Sequence, residues 1–205
     1  MTGLKLILPR GAARFGCPEA NDELVPTALP ALKKLVQQLE TYRHPLATET
    51  RHALYRAQPE RWLEAFVRED ITRVDASFGP RFVYSQVFAN AGGEHGILDL
   101  LTVTRAGRLA ILELKASEHI HLPLQAADYW LRIRHHLERR NFARYGYFRG
   151  IELQSAAPLA YLVAPALRFH PSNDVLMSYL RSDLEVVRVG LAESWRRGLH
   201  VVMHQ

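Results

Sequence analysis

Apolar positions along this chain change period twice. Between Leu29 and Tyr42, Leu32, Leu35, Val36 and Leu39 recur at three- and four-residue spacing, which predicts a helix closed near Pro45. A short helix is expected over 48–56. Pro59 stands where a first helical residue would, and Trp62, Leu63, Phe66, Val67, Ile71 and Val74 continue a second stripe. That helix should end before Gly79-Pro80. The period then shifts. Segments 82–88, 96–104 and 108–116 are rich in aromatic, β-branched and leucine residues and hardly alternate, as in strands covered on both faces. A second long helix is predicted over 123–140 and a buried strand over 159–163. A helix over 173–180, capped by Ser172 or Asn173, and strands over 185–189 and 199–203 complete the chain. Leu4–Leu8 reads as one more short strand. The order helix, three strands, helix, strand, helix, two strands predicts an α/β fold with a central mixed β-sheet flanked by helices.

Composition narrows the class only a little. The 205 residues suit one domain with an appendage, and we expect an accessory helical segment over 1–57 and the α/β domain over 58–205. Lys and Arg number 26 against 21 Asp and Glu, so the net charge is +5. That permits a nucleic-acid partner without requiring one. Cys17 is the lone cysteine, so neither an internal disulfide nor a cysteine zinc site can form. No stretch approaches ~18 apolar residues and nothing resembles a signal peptide. The expectation is a cytoplasmic protein with no membrane partner.

Two predicted strands carry charges that a buried sheet does not welcome: Asp99 in GILDLL, and Glu113 and Lys115 in ILELKA. A three-residue hairpin loop, Arg105-Ala106-Gly107, would put Gly107 at a left-handed position. Thr104 then pairs with Arg108, Leu101 faces Ile111, and Asp99 faces Glu113. Directly opposed residues have Cβ atoms ~4.5–5.5 Å apart, and Lys115 shares the face of Glu113. A two-residue loop would slip the register and part the carboxylates. Two such carboxylates repel unless a cation joins them, and oxygen ligands select a hard ion, Mg²⁺ or Mn²⁺. Lys115 would hold a water or neutralise a phosphate oxygen. The plain alternative is a buried ion pair with no chemistry, but three charges on two central strands are a large desolvation for structure alone.

Asp99, thirteen intervening residues and then Glu113-Leu114-Lys115 resemble the signature of the PD-(D/E)XK nuclease superfamily, with Leu98 where the signature's name has proline. Gln125 and Tyr129 on the following helix resemble the Q-x-x-x-Y motif of its recombination-type exonucleases. The resemblance spans about residues 58–165. It implies a restriction-endonuclease-like core. Asp99, Glu113 and the Leu114 carbonyl would ligate Mg²⁺ or Mn²⁺, and Lys115 would orient the water. Members often add a carboxylate from the first core helix; of Glu64, Glu69 and Asp70 we expect Glu64.

Arg132 and His136 extend the face of Gln125 and Tyr129. Arg132, Arg139 and Arg140 are the expected nucleic-acid contacts, and the segment Phe142 to Arg149 mixes aromatics and arginines suited to bases and phosphates, or simply to packing. His119 and His121 suit a loop or an outer-shell role better than a metal pair. The function expected is metal-dependent hydrolysis of phosphodiester bonds, in DNA first, with a homodimer or larger assembly compatible. The rival is a nucleic-acid-binding or assembly module that keeps the fold without cutting. A hydrolase of small phosphate compounds is a third reading.

Overall fold

The computed structural model describes the backbone of residues 14–17, 20–23, 25–91 and 94–205, and side chains from 25–88 and 96–205. The strand expected at Leu4–Leu8 lies outside the described residues. Two short strands, β1 (Arg14–Cys17) and β2 (Ala20–Glu23), form a small antiparallel pair. Helices α1 (Leu29–Tyr42), α2 (Ala53–Arg56) and α3 (Pro59–Glu69) follow. Then come β3 (Phe78–Ala91), β4 (Glu94–Thr104) and β5 (Leu109–Leu114), which run antiparallel to one another. Helix α4 (Leu122–Glu138) and a short α5 (Asn141–Arg144) lead to β6 (Leu159–Pro165), which is parallel to β5. Helix α6 (Ser172–Ser178), β7 (Val186–Leu191) and β8 (Val201–His204) complete one six-stranded mixed sheet of order β3-β4-β5-β6-β7-β8. The α/β architecture is the expected one.

Each face of the sheet carries its own core. Trp62, Leu63 and Val67 of α3 pack on Leu100, Leu112 and Tyr161, with Trp195 beside them. Trp130 and Ile133 of α4 pack on Leu98, Leu101 and Ile111 of the other face. Trp130 can be buried whole because its indole N–H donates to the Pro158 carbonyl at 2.6 Å. Arg43, at the end of α1, is buried too. Its guanidinium donates to the carbonyls of Leu54, Ala57 and Gln58 and lies over the Trp62 ring, which fastens α1 to the start of α3.

Three expectations need correction. The stripe from Trp62 to Val74 is not one helix: α3 stops at Glu69, because Asp70 leaves helical geometry and its carboxylate accepts from the Thr72 N–H, starting a separate turn over Ile71–Arg73. The short helix expected over 48–56 shrinks to Ala53–Arg56, with His52 accepting from the Leu54 N–H. Neither Ser172 nor Asn173 caps α6, which begins after Pro171. Asn173 is fully buried instead. Its amide donates to the Ile120 carbonyl at 2.9 Å, and its oxygen accepts from the His170 N–H at 3.0 Å, which pins the loop that follows Lys115.

Candidate active site

The β4–β5 hairpin has the expected register. The Thr104 N–H donates to the Arg108 carbonyl at 2.8 Å, the Gly107 N–H donates back to Thr104 at 2.9 Å, and Gly107 has φ 90°. Leu101 faces Ile111 and Leu100 faces Leu112. There the sheet forks. Beyond Leu100, β4 continues paired only with β3, while Glu113 and Leu114 stay paired with β6. The fork deprives the Leu114 N–H of a strand partner, and the Asp99 carboxylate takes its place at 2.9 Å. Asp99 thus stands across the mouth of the fork from Glu113.

Glu113 is 4% exposed. One of its oxygens, Oε1, accepts from Lys115 Nζ at 2.8 Å; the other, Oε2, is buried with no hydrogen-bond partner. Burial, and then repulsion from Asp99, push its carboxyl up to about 7 against the attraction of Lys115. Burial also raises Asp99, opposed by the Leu114 N–H and Lys115. Burial alone would lower Lys115, but Glu113 and Asp99 beside it overrule that, so the ammonium stays charged at neutral pH.

Helix α3 brings a third carboxylate. Glu64 is 6% exposed, and its Oε2 accepts from Arg61 at 2.9 Å and from the Gln86 amide at 3.0 Å. Burial raises its carboxyl, and Asp99 adds to the rise while Arg61 opposes it. Glu69 and Asp70 sit elsewhere: Asp70 pairs with Arg73, and Glu69 lines a cleft with Phe66 and Arg43. Glu60, in the first turn of α3, accepts from the Ala116 N–H at 3.4 Å and adds to the negative field at Lys115.

Helix α4 closes the other side. Burial and the charges of Glu113 and Asp99 raise the Tyr129 hydroxyl, against the opposing pull of the Ile97 N–H. The Tyr129 ring lies so close over Gly96 that a Cβ there would stand 2.7 Å from it, so glycine is what lets α4 approach β4. Gln125, one turn earlier on that face, has a buried side-chain oxygen with no hydrogen-bond partner. The His119 Nδ1 atom is buried likewise, and the His119 and His121 rings meet edge to face.

These side chains fit a divalent cation. Asp99, Glu113, Glu64 and Glu60 outnumber Lys115 and Arg61, and two buried oxygens await a partner. The donors are hard oxygens, the set that Mg²⁺ and Mn²⁺ prefer. Among the described residues no three His, Cys, Asp or Glu side chains form a group that could hold a metal as they stand. Three are not needed, since Mg²⁺ commonly takes one or two carboxylates and keeps several waters.

The expected nucleic-acid residues divide. Arg132 is only 7% exposed, and its Nε pairs with Asp128 at 2.9 Å, so it belongs to the helix face rather than to a phosphate-binding surface. Arg139 and Arg140 are exposed at the end of α4. Two helical steps of five residues from Tyr129 to Arg139 span roughly 15 Å. The segment from α5 onward is mostly core: Phe142 and Phe148 are buried beside the half-buried Tyr84, whose hydroxyl accepts from the Phe148 N–H at 3.0 Å. Tyr145 alone among its aromatics stays largely exposed, with Arg144 over its ring. Gln86 was not anticipated. Sequence offers no signal for it, because its place on the site comes from a backbone turn inside a strand.

No helix of the described residues is long and apolar enough to cross a membrane. No family model matches the chain, and no curated protein matches it. Among solved structures, the chain is similar to a repair endonuclease from Pyrococcus abyssi at 18% identity and a TM-score of 0.43, over 65% of this chain and 47% of that one. It is similar to EndoMS in complex with double-stranded DNA at 18% identity and a TM-score of 0.40, over 64% and 44%. The chain spans less than half the length of either. At these values the likeness says nothing about activity.

Proposed function

We propose that this chain hydrolyses phosphodiester bonds, in DNA first, at the fork between β4 and β5 with a divalent metal ion. The observation that carries the reading is Glu113: a buried carboxylate with one oxygen on a charged lysine, the other without a partner, and a second carboxylate across the fork. Such a constellation is costly to fold and has little use as mere structure.

Asp99, Glu113 and the Leu114 carbonyl would hold the metal, with Glu64 as a further acid beside them. The bound Mg²⁺ or Mn²⁺ would polarise the phosphoryl oxygen and make water a better nucleophile. The protein's own part follows from the protonation states. Lys115 is an ammonium, so it is a donor and not a base; its Nζ can orient the attacking water or neutralise a non-bridging phosphate oxygen. Glu113, held near 7, is readily ionised at neutral pH, and its partnerless oxygen would then be available to hold the ion. Tyr129 and Gln125 face the fork from α4. Tyr129 stays protonated and can donate to a phosphate oxygen. Arg139 and Arg140 would meet the DNA backbone two or three phosphates away.

The test is cleavage of labelled single- and double-stranded DNA in Mg²⁺, Mn²⁺ or chelator, with wild type beside Asp99→Ala and Lys115→Ala. Metal-dependent cutting, lost by about 10²-fold or more in both variants, is expected. No cutting, with DNA binding indifferent to chelator and to both substitutions, would replace this reading with that of a non-cleaving module.

A further inference from the structure

Gln86 lies in the middle of β3, yet its φ is 52°, a left-handed conformation uncommon for a residue that has a Cβ. The turn has a visible consequence in the strands. On β3, Tyr84 and Val87 face the α4 core together although they are three apart; on β4, opposite, Leu98 and Leu101 do the same. Strict alternation would put such pairs on opposite faces. Both strands skip one step, and the residues at the skip are Gln86 and Asp99. The skip releases the two side chains from the cores and directs them to the fork.

There the Gln86 amide nitrogen donates to Glu64 Oε2 at 3.0 Å, and the same side chain favours the ionised form of Asp99 on the facing strand. An amide nitrogen has two hydrogens, enough for one on each acid. Glu64 comes from α3 and Asp99 from β4, so this carboxamide joins acids carried by different elements. Arg61 shares Glu64 Oε2 at 2.9 Å, but as a cation it competes with a metal ion for that oxygen. A neutral carboxamide can hold both carboxylates without repelling the ion.

We propose that Gln86 is a positioning residue whose side chain bridges Glu64 and Asp99 and sets their spacing for a divalent cation. This rests on the reading of the fork as a metal-dependent phosphodiesterase site. Gln86 itself ligates nothing and touches no substrate; it works through the two acids, as the outer partners of metal ligands do elsewhere.

Two substitutions separate the side chain from the backbone. Gly tolerates φ 52° and removes the bridge; Asn tolerates it well among residues with a Cβ and keeps a carboxamide one methylene too short to reach both acids. Metal-free full-length chain is titrated with Mn²⁺ in a calorimeter, its melting is recorded, and DNA cleavage is measured at steady state. Gln86→Gly and Gln86→Asn should both melt close to wild type. Their Mn²⁺ affinity should fall about 10- to 100-fold, and kcat should fall with it while KM for DNA stays put. Wild-type affinity and kcat in both variants would overturn the proposal, leaving the fork reading intact. Lower melting with unchanged Mn²⁺ affinity would overturn it too, as the mark of a purely structural residue. A wild type that neither binds Mn²⁺ nor cuts DNA would remove the fork reading, and this inference with it.

Discussion

Glu113 makes the metal-free protein sensitive to pH in an unusual direction. Its carboxyl is raised from 4.5 to about 7 in the folded chain, so the folded state holds that proton more tightly than the unfolded state does. The stability it contributes is complete below about pH 4.5 and is lost as pH rises to about 7, roughly 3 kcal/mol by linkage. Asp99 and Glu64 are shifted the same way. Melting followed in chelator across pH 4.5–8 should therefore fall, and Glu113→Gln should flatten the curve. Saturating Mg²⁺ should flatten it as well, because the ion prefers the ionised acid. Lys115 gives a second expectation. Its ammonium sits 2.8 Å from Glu113 Oε1 and attracts it only while that acid is ionised. Lys115→Met should cost little at pH 5 and about 2 kcal/mol at pH 8, read from denaturant unfolding at the two pH values. Equal costs at both would contradict the assignment of the pair.

Among the elements, the β4–β5 hairpin decides whether the acids meet. Gly107 has φ 90°, and a Cβ there would stand 2.2 Å from the Glu152 carbonyl oxygen. Gly107→Ala should cost at least about 2 kcal/mol, measured by denaturant unfolding, and should lower cleavage as the register loosens. This hairpin was legible in the sequence because a strand has a period of two and the loop chemistry selects one length. With that register, Asp99, Glu113 and Lys115 fall on one site from the sequence alone. The fork was not legible: GILDLLTVT reads as a continuous strand, and nothing in its spelling says that β5 stops following β4 at Leu112. The skip at Gln86 was hidden for the same reason, since a positive φ at a glutamine leaves no mark in composition. Helix α3 was overextended because Ile71 and Val74 keep helical spacing although Asp70 has turned the chain aside. The aromatic run after α4 looked suited to nucleic acid, but Tyr84, sixty residues earlier, claims most of it for the core.

For the molecule as a whole, the expected arginine surface is smaller than the basic run in the sequence suggests. Arg132 is buried against Asp128, and Arg134 pairs with Glu138 and Asp183. Arg139 and Arg140 are left exposed at the end of α4. If they meet phosphates, Arg139→Ala and Arg140→Ala should each weaken DNA binding alike for all sequences and reduce the slope of log K against log salt by about 1. Binding curves at several salt concentrations check this; slopes equal to that of wild type would move the DNA elsewhere on the surface. The catalytic reading depends on the fork holding a divalent cation between Asp99 and Glu113. The direct measurement is calorimetric titration of metal-free protein with Mn²⁺ at pH 7.5, for wild type and Glu113→Gln. The account predicts saturable binding at one site or two adjoining sites in wild type, with proton release, and its loss in the variant. Absence of binding in wild type, or equal binding in both, would contradict it.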